Sequence, residues 1–231
     1  MNKRIFLGLG SVGAVLAIGG AALVSGVGLT QRSEVVYMTD GPTFKDVTDL
    51  TKASKAVAHV RILSAGPTFT IPFDRASAVV SARPSGNPDK DKEGQLNSSA
   101  PGGAAPTGLL KTDFTVEVLD NIHGAGLKKG DHIVVSQLGG SVATTRPDGV
   151  STNVVEANTE HDPLMQVGDE ELLFLNQDAG SARFFTTGGG IGRFKVQSNG
   201  TLLAVDHDSA IAKMVNGKPT TFLKTAVQNV N

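Results

Sequence analysis

Lys111 to Leu138 reads KTDFTVEVLDNIHGAGLKKGDHIVVSQL, and this stretch decides the fold class. Phe114, Val116 and Val118 alternate with Thr115 and Glu117. That two-residue period puts the apolar side chains on one face of a strand. Gly124 to Gly130 (GAGLKKG) supplies turn chemistry, and Asp131 to Leu138 (DHIVVSQL) reads as the next strand. The protein is therefore expected to be mainly β.

The same pattern continues on both sides. Downstream, Glu171 to Asn176 (ELLFLN) is apolar at successive positions, as in a strand buried on both faces. Ala182 to Thr187, Arg193 to Val196 and Thr201 to Val205 read as short strands, broken by Gly188-Gly189-Gly190 and Asn199-Gly200. Upstream, Ala56 to Ser64 (AVAHVRILS) has Ala58, Val60 and Ile62 on a core face and Val57, His59, Arg61 and Leu63 on the other. Pro67 to Ser81 begins with Phe69, Ile71 and Phe73 alternating before small residues take over. Gly139 to Asp162 is polar and reads as a loop.

Helical periodicity is confined to the flanks. Thr43 to Ser54 (TFKDVTDLTKAS) spaces Phe44, Val47 and Leu50 by three. Near the end, Asp208 is placed to cap a helix holding Ile211 and Met214. Pro219 is placed to open another, with Phe222, Leu223 and Val227 on one side. Short strands framed by short helices favour a small, closed or nearly closed β-barrel.

Composition bounds the function. The 231 residues carry 21 Lys and Arg against 22 Asp and Glu, a net charge of −1 that argues against a surface tracking phosphates. Aromatic residues are 5% of the chain, with one Tyr and no Trp, which argues against a stacking platform for single-stranded nucleic acid. There is no cysteine, so disulfides, thiol nucleophiles and thiolate metal sites are excluded together.

Lys3 and Arg4 precede a run from Ile5 to Thr30 without a charged residue, the pattern of an export signal or an N-terminal membrane anchor. The basic residues place the N-terminus inside the cytoplasm and the rest of the chain outside. The run is long enough to span a bilayer, yet seven glycines between Gly8 and Gly28 dilute it. Val24-Ser25-Gly26 would serve as a small-residue cleavage site. Two readings stand side by side: a domain anchored in the membrane through residues 5–30, or one cleaved and secreted.

Arg83 to Gly108 (RPSGNPDKDKEGQLNSSAPGGAAPTG) has four prolines and no aromatic residue. Such a segment cannot bury enough apolar surface to offset its chain entropy, so it reads as a disordered insertion. The organisation expected is an export segment over 1–30, a barrel domain over 31–82 and 109–231, and the insertion over 83–108.

Three stretches together resemble netrin-like domains, the fold class of the tissue inhibitors of metalloproteinases. Leu50 to Leu63 (LTKASKAVAHVRIL) resembles their first barrel strand with its lead-in, and Thr112 to Gly124 (TDFTVEVLDNIHG) resembles the second. Val167 to Asn176 (VGDEELLFLN) resembles their strand in which a Gly and acidic residues precede Leu-Leu-Phe-Leu. The same order occurs in exported bacterial proteins that end in short helices. The resemblance implies an OB-type, five-stranded, partly closed barrel with flanking helices. Those inhibitors chelate a target's zinc through an N-terminal cysteine, which this chain lacks, so no functional residue of the family carries over.

The motifs that carry chemistry are fragments. Gly8-Leu9-Gly10-Ser11-Val12-Gly13 has the glycine spacing of a dinucleotide loop, with no strand before it and no acidic residue about 20 positions later. Gly13, Ala17, Ala21 and Ser25 form a small-residue ribbon, as signal segments commonly do. Asp89, Asp91, Glu93 and Gly94 match the start of a calcium loop, but Ala100 stands where the bidentate Glu belongs. Glu160-His161-Asp162 and Asp206-His207-Asp208 hold ligand-capable side chains and also read as solvated loop residues.

Gly188 to Arg193 (GGGIGR) lies between two strands, where a hairpin loop is favoured over an anion cradle. Phe184 and Phe185 point to opposite faces of their strand. Phe185, Gly189, Gly190 and Arg193 are therefore the candidate binding edge. The function expected is a non-catalytic extracytoplasmic binding or interaction module whose ligand the sequence does not name, an extracytoplasmic protein being one candidate partner, with no metal, cofactor or nucleic acid. Alternatives are an exported hydrolase using His161 or His207 with Asp162 and Asp208, and a structural envelope component.

Overall fold

A computed structural model describes residues 30–37, 42–72, 108–124, 126–145, 152–159, 161–177 and 180–230. The export run before Thr30, with its glycine motif and small-residue ribbon, lies outside the described residues. So do the calcium-loop fragment at Asp89–Gly94 and the insertion up to Thr107. Among the described residues no helix is long and apolar enough to cross a membrane.

The chain is mainly β. In order come β1 (Thr30–Tyr37), α1 (Val47–Lys52), β2 (Ala56–Pro72), β3 (Gly108–His123), β4 (His132–Leu138), β5 (Gly140–Thr145) and β6 (Thr152–Thr159). They are followed by β7 (Glu170–Gln177), β8 (Arg183–Thr186), a 3-10 turn (Gly189–Gly192), β9 (Arg193–Val196), β10 (Leu202–Ala204), α2 (Ala210–Val215) and α3 (Thr220–Gln228).

Five of the strands form a circuit. β2 lies between β3 and β7, both antiparallel, and β3 pairs antiparallel with β4. The circuit returns through β8, parallel to β4 over Val134 and Val135 and antiparallel to β7 over Leu175 to Gln177. These closing contacts are short, so the sheet is a partly closed ring. β9 and β10 continue it outward from β7. The free edge of β10 is covered by the linker between α2 and α3, where Leu202 N–H donates to Lys218 O at 2.8 Å. Covering the edge satisfies backbone groups that would otherwise template another strand.

Alternation along these strands divides the apolar residues into two cores. Inside the ring are Ala58, Val60 and Ile62 of β2, Phe114, Val116 and Val118 of β3, Val135 of β4, and Leu173 and Leu175 of β7. Ile133 and Phe184 pack against this interior. Outside the ring, Val57, Leu172, Phe174, Phe194 and Leu202 meet the apolar sides of the three helices. Phe174 and Phe194 stack edge to face, with centroids 5.8 Å apart. The helices are too short to persist alone. Burial of Leu50, Ile211, Val215, Leu223 and Val227 against the sheet holds them, at roughly 1.5–3 kcal/mol for each large side chain.

Several expectations from sequence need correction. Val57 is not on an open face: it is fully buried under the helices, because β2 starts in the middle of the sheet. The polar stretch from Gly139 to Asp162 is not simply a loop. It holds β5 and β6, which with β1 make a second sheet in the order β1-β6-β5. Its turn chemistry masked strands built from Val and Thr, whose β-branched side chains suit the pleat.

Gly139 and Gly140 turn the chain from β4 into this sheet with φ 109° and 132°. A Cβ on Gly140 would collide with Thr68 and Thr112, whose hydroxyls lie 2.9 Å apart beneath it. At the C-terminal end, Ser209 rather than Asp208 caps α2, accepting from Ala212 N–H at 3.1 Å. Val215 takes the inward position on α2 and Met214 is exposed. Phe222 of α3 is likewise exposed, leaving Leu223 and Val227 as its buried contacts.

Candidate functional site

Residues far apart in sequence meet at one end of the ring. The 3-10 turn after β8 is entered through Gly188, in the left-handed region at φ 70°, and begins at Gly189 at φ 59°. Gly190 lies directly on the carbonyl oxygen of His161, so close that a Cβ has no room. The glycines are thus spent on close backbone contact, and the turn seats on the loop that begins at His161.

Beneath this contact lies Arg193, the first residue of β9 and fully buried. Its Nε donates to Glu171 Oε2 at 3.0 Å and its Nη2 donates to Glu171 Oε1 at 2.9 Å. Its Nη1 donates to Asp162 Oδ1 and to Pro163 O, each at 2.6 Å. Gln137 of β4 completes the network: its Nε2 donates to Asp162 Oδ1 at 2.9 Å and Pro163 O at 2.9 Å, and its Oε1 accepts from Met165 N–H. Glu171 is fully buried as well.

Burial pushes the Asp162 carboxyl above its ordinary value, against the opposing pull of Arg193. Burial also works against the charge on Arg193, but the facing Glu171 and Asp162 carboxylates outweigh it and raise its pKa. A forked guanidinium is suited to this double pairing. The network ties β4, β7, β9, the 161–165 loop and, through Gly190, the glycine turn into one unit.

On the surface above it, His161 Nδ1 lies 4.0 Å from both Asp206 Oδ1 and Asp208 Oδ2. His161 and Asp208 are exposed, while Asp206 is half-buried. Asp206 is fixed by its backbone N–H to Gly190 O at 3.4 Å, and its carboxylate accepts from Asp208 N–H at 3.1 Å. His207 is exposed. Among the described residues no group of three or more His, Asp or Glu side chains is placed to hold a metal ion.

Of the candidate edge, Phe185 and Gly189 are half-buried and Gly190 is buried. Arg193 is a correction: it has no exposed surface and belongs to the interior. The reason is Glu171, whose carboxylate faces inward from a doubly covered strand and requires a cation beside it. Asp162 is diverted to the same pairing, so of the proposed histidine and aspartate cluster His161 and Asp208 come together, joined by Asp206. Glu171 and Gln137 were missed. The available signal was a carboxylate beside the apolar run Leu172 to Leu175, where it needs a partner.

Away from the helices, the outer wall of the ring carries ion pairs. Arg61 Nη2 lies 2.7 Å from Glu170 Oε1, and Arg183 Nε lies 2.9 Å from Asp113 Oδ2, while Asp113 Oδ1 accepts from the Ser136 hydroxyl. The Arg61 hydrogen bond holds Glu170 below the ordinary carboxylate range. His59 Nε2 sits 3.1 Å from Glu170 Oε2, out of hydrogen-bond alignment, and burial lowers its pKa. Lys224 of α3 pairs with Asp120 at 2.7 Å. Compared with known proteins, the chain matches no family model and no curated sequence.

Proposed function

We propose that this chain is a non-catalytic binding module displayed outside the cytoplasm, built on an OB-type five-stranded barrel of the kind the netrin-like resemblance implies. The circuit β2-β3-β4-β8-β7, with its parallel β4–β8 closure, supports that barrel reading. OB-type barrels bind through one face and the loops beside it. The observation that carries the binding reading is the pinned surface over Arg193. A buried ion network adds little net stability compared with apolar packing, and its best-attested use is to select one conformation. Here that conformation presents His161, His207 and Asp208 on a rigid platform. The partner class is an extracytoplasmic protein, and the apolar run Ile5–Thr30 supplies export and, if retained, anchoring.

Two measurements test this. A reporter that works only outside the cytoplasm, fused after Asn231, is expected to be active. A photo-crosslinking residue at His207 is expected to capture a discrete partner in cells, whereas one at Thr225 on α3 is not. Reporter silence despite good expression removes export. Equal capture from both positions, or none from His207, removes the binding surface.

The approach of His161 to two carboxylates favours a second reading, an exported hydrolase with His161 as general base. It requires His161→Ala to abolish a hydrolytic activity of the purified protein without changing its unfolding midpoint. A structural envelope role would leave the His207 crosslinks spread over abundant envelope components.

A further inference from the structure

The hairpin of β2 and β3 extends past the ring as an arm, from Thr68 to Pro72 and from Gly108 to Thr112. Leu110 and Thr112 are buried on its inner face, so Leu109 and Lys111 point outward. Cross-strand pairing places Phe69 and Leu138 either side of Lys111, and Ile71 opposite Leu109. Directly opposed residues share a face. The outward face of the arm therefore carries four apolar side chains around one lysine. Ile71 is 37% exposed and the others are half-buried. Farther down the same wall the outward pairs are mostly charged or polar, with Asp113 opposite Ser136, Thr115 opposite Val134 and Arg61 opposite Glu117.

The geometry points to this arm face as a lipid-contacting surface that lays the barrel against the membrane. An apolar patch bounded by charged residues marks a contact site. A lysine amid apolar side chains can run its stem along them and present its ammonium to lipid headgroups. What identifies the occupant is where the apolar run ends. The run stops at Thr30, which is the first residue of β1. β1 pairs with β6 at Val35–Ala157, and β6 pairs with β5 at Ala157–Gly140. Gly140 rests on Thr68 and Thr112 at the base of the arm, and Ser141 N–H donates to Thr68 Oγ1 at 3.3 Å.

From Thr30 to Val35 is about 17 Å of strand, and two strand spacings add about 10 Å. A bilayer reached by the run at Thr30 thus lies within about 30 Å of the base of the arm. The inference rests on the reading that Ile5–Thr30 anchors the chain.

The chain contains no cysteine, so single-cysteine variants need no other change. Full-length protein carrying Ala17→Cys, Ile71→Cys or Met214→Cys is labelled with an environment-sensitive fluorophore. Each is reconstituted into vesicles of zwitterionic and anionic phospholipid, then quenched by spin-labelled lipids or by aqueous iodide. Labels at 17 and 71 are expected to be quenched several-fold more by lipid than the label at 214, which only iodide reaches. Lipid quenching at 17 with a water-exposed label at 71 overturns the arm proposal and leaves the anchor standing. A label at 17 that stays in water overturns the anchor and the arm with it. A label at 71 shielded from both quenchers means protein covers the arm, and the lipid assignment falls.

Discussion

Replacing Arg193 with methionine removes the cation facing two buried carboxylates while keeping most of the side-chain volume. The guanidinium makes four hydrogen bonds, two to Glu171, one to Asp162 and one to Pro163 O. Each bond to a charged group is worth about 1.5–3 kcal/mol, but they share one donor and do not add. Removing one partner of a buried ion pair costs about 3–5 kcal/mol, because the other charge stays buried without compensation. Set against a typical total of about 5–15 kcal/mol, that loss is large but leaves a folded protein to measure.

The loss must depend on pH. Burial already holds the Asp162 carboxyl above its ordinary value, and without Arg193 the opposing pull on it is gone. The folded state then binds more protons than the unfolded state, so stability falls as pH rises through the folded value. Arg193→Met is expected to cost least at about pH 5 and most at about pH 8. Urea unfolding reads this directly: at a slope of about 2 kcal/mol per molar, a loss of about 4 kcal/mol lowers the midpoint by about 2 M. Adding Glu171→Met and Asp162→Asn to Arg193→Met removes the stranded charges and is expected to restore most of the stability. A loss below about 1 kcal/mol at neutral pH, or one equal at both pH values, would refute the burial argument.

Leu173 is fully buried in the ring interior, and Leu173→Ala is expected to cost about 2–5 kcal/mol by chemical denaturation; a neutral result would mean that this face of β7 is not packed. Gly190→Ala forces a Cβ onto the His161 carbonyl and is expected to lose at least about 1–3 kcal/mol. Gly168→Ala, with open space around φ 95°, should show only left-handed strain of about 1–2 kcal/mol; equal losses would place the tight contact elsewhere. Arg61→Ala removes the hydrogen bond that depresses Glu170. Its carboxyl should then titrate closer to the ordinary glutamate range by NMR, and the stability it contributes, lost as pH falls through its folded pKa, should shrink. An unchanged titration would assign the depression to other groups.

Much of the ring was legible locally. Alternation at Phe114, Val116 and Val118 and the dense apolar run Leu172–Leu175 follow from the two-residue period, which fixes which side chains share a face whatever the rest of the chain does. Asn199-Gly200 marked the turn before β10 for the same local reason, since only certain residues tolerate the required dihedrals. Helical spacing located α1 and α3, yet Phe222 looked like Leu223 in sequence. Which of them is buried depends on where the sheet lies, and a period does not encode that.

The candidate site was the least legible part. His161 and Asp208 stand 47 positions apart, and the glycine turn that seats beside them lies between. They meet because β7, β9 and the loop from His161 converge on Arg193. An arginine after a glycine-rich turn looks like an exposed charge at the mouth of a loop. It becomes the centre of the interior because Glu171, remote in sequence, offers a carboxylate there, and a buried ion is tolerated where a partner of opposite charge is within hydrogen-bond reach. The local chemistry of the chain determined strands, turns and a mainly β fold; the pairing of buried charges, the second sheet and the face of each short helix were decided by long-range packing, because burial belongs to the whole fold and not to any one segment.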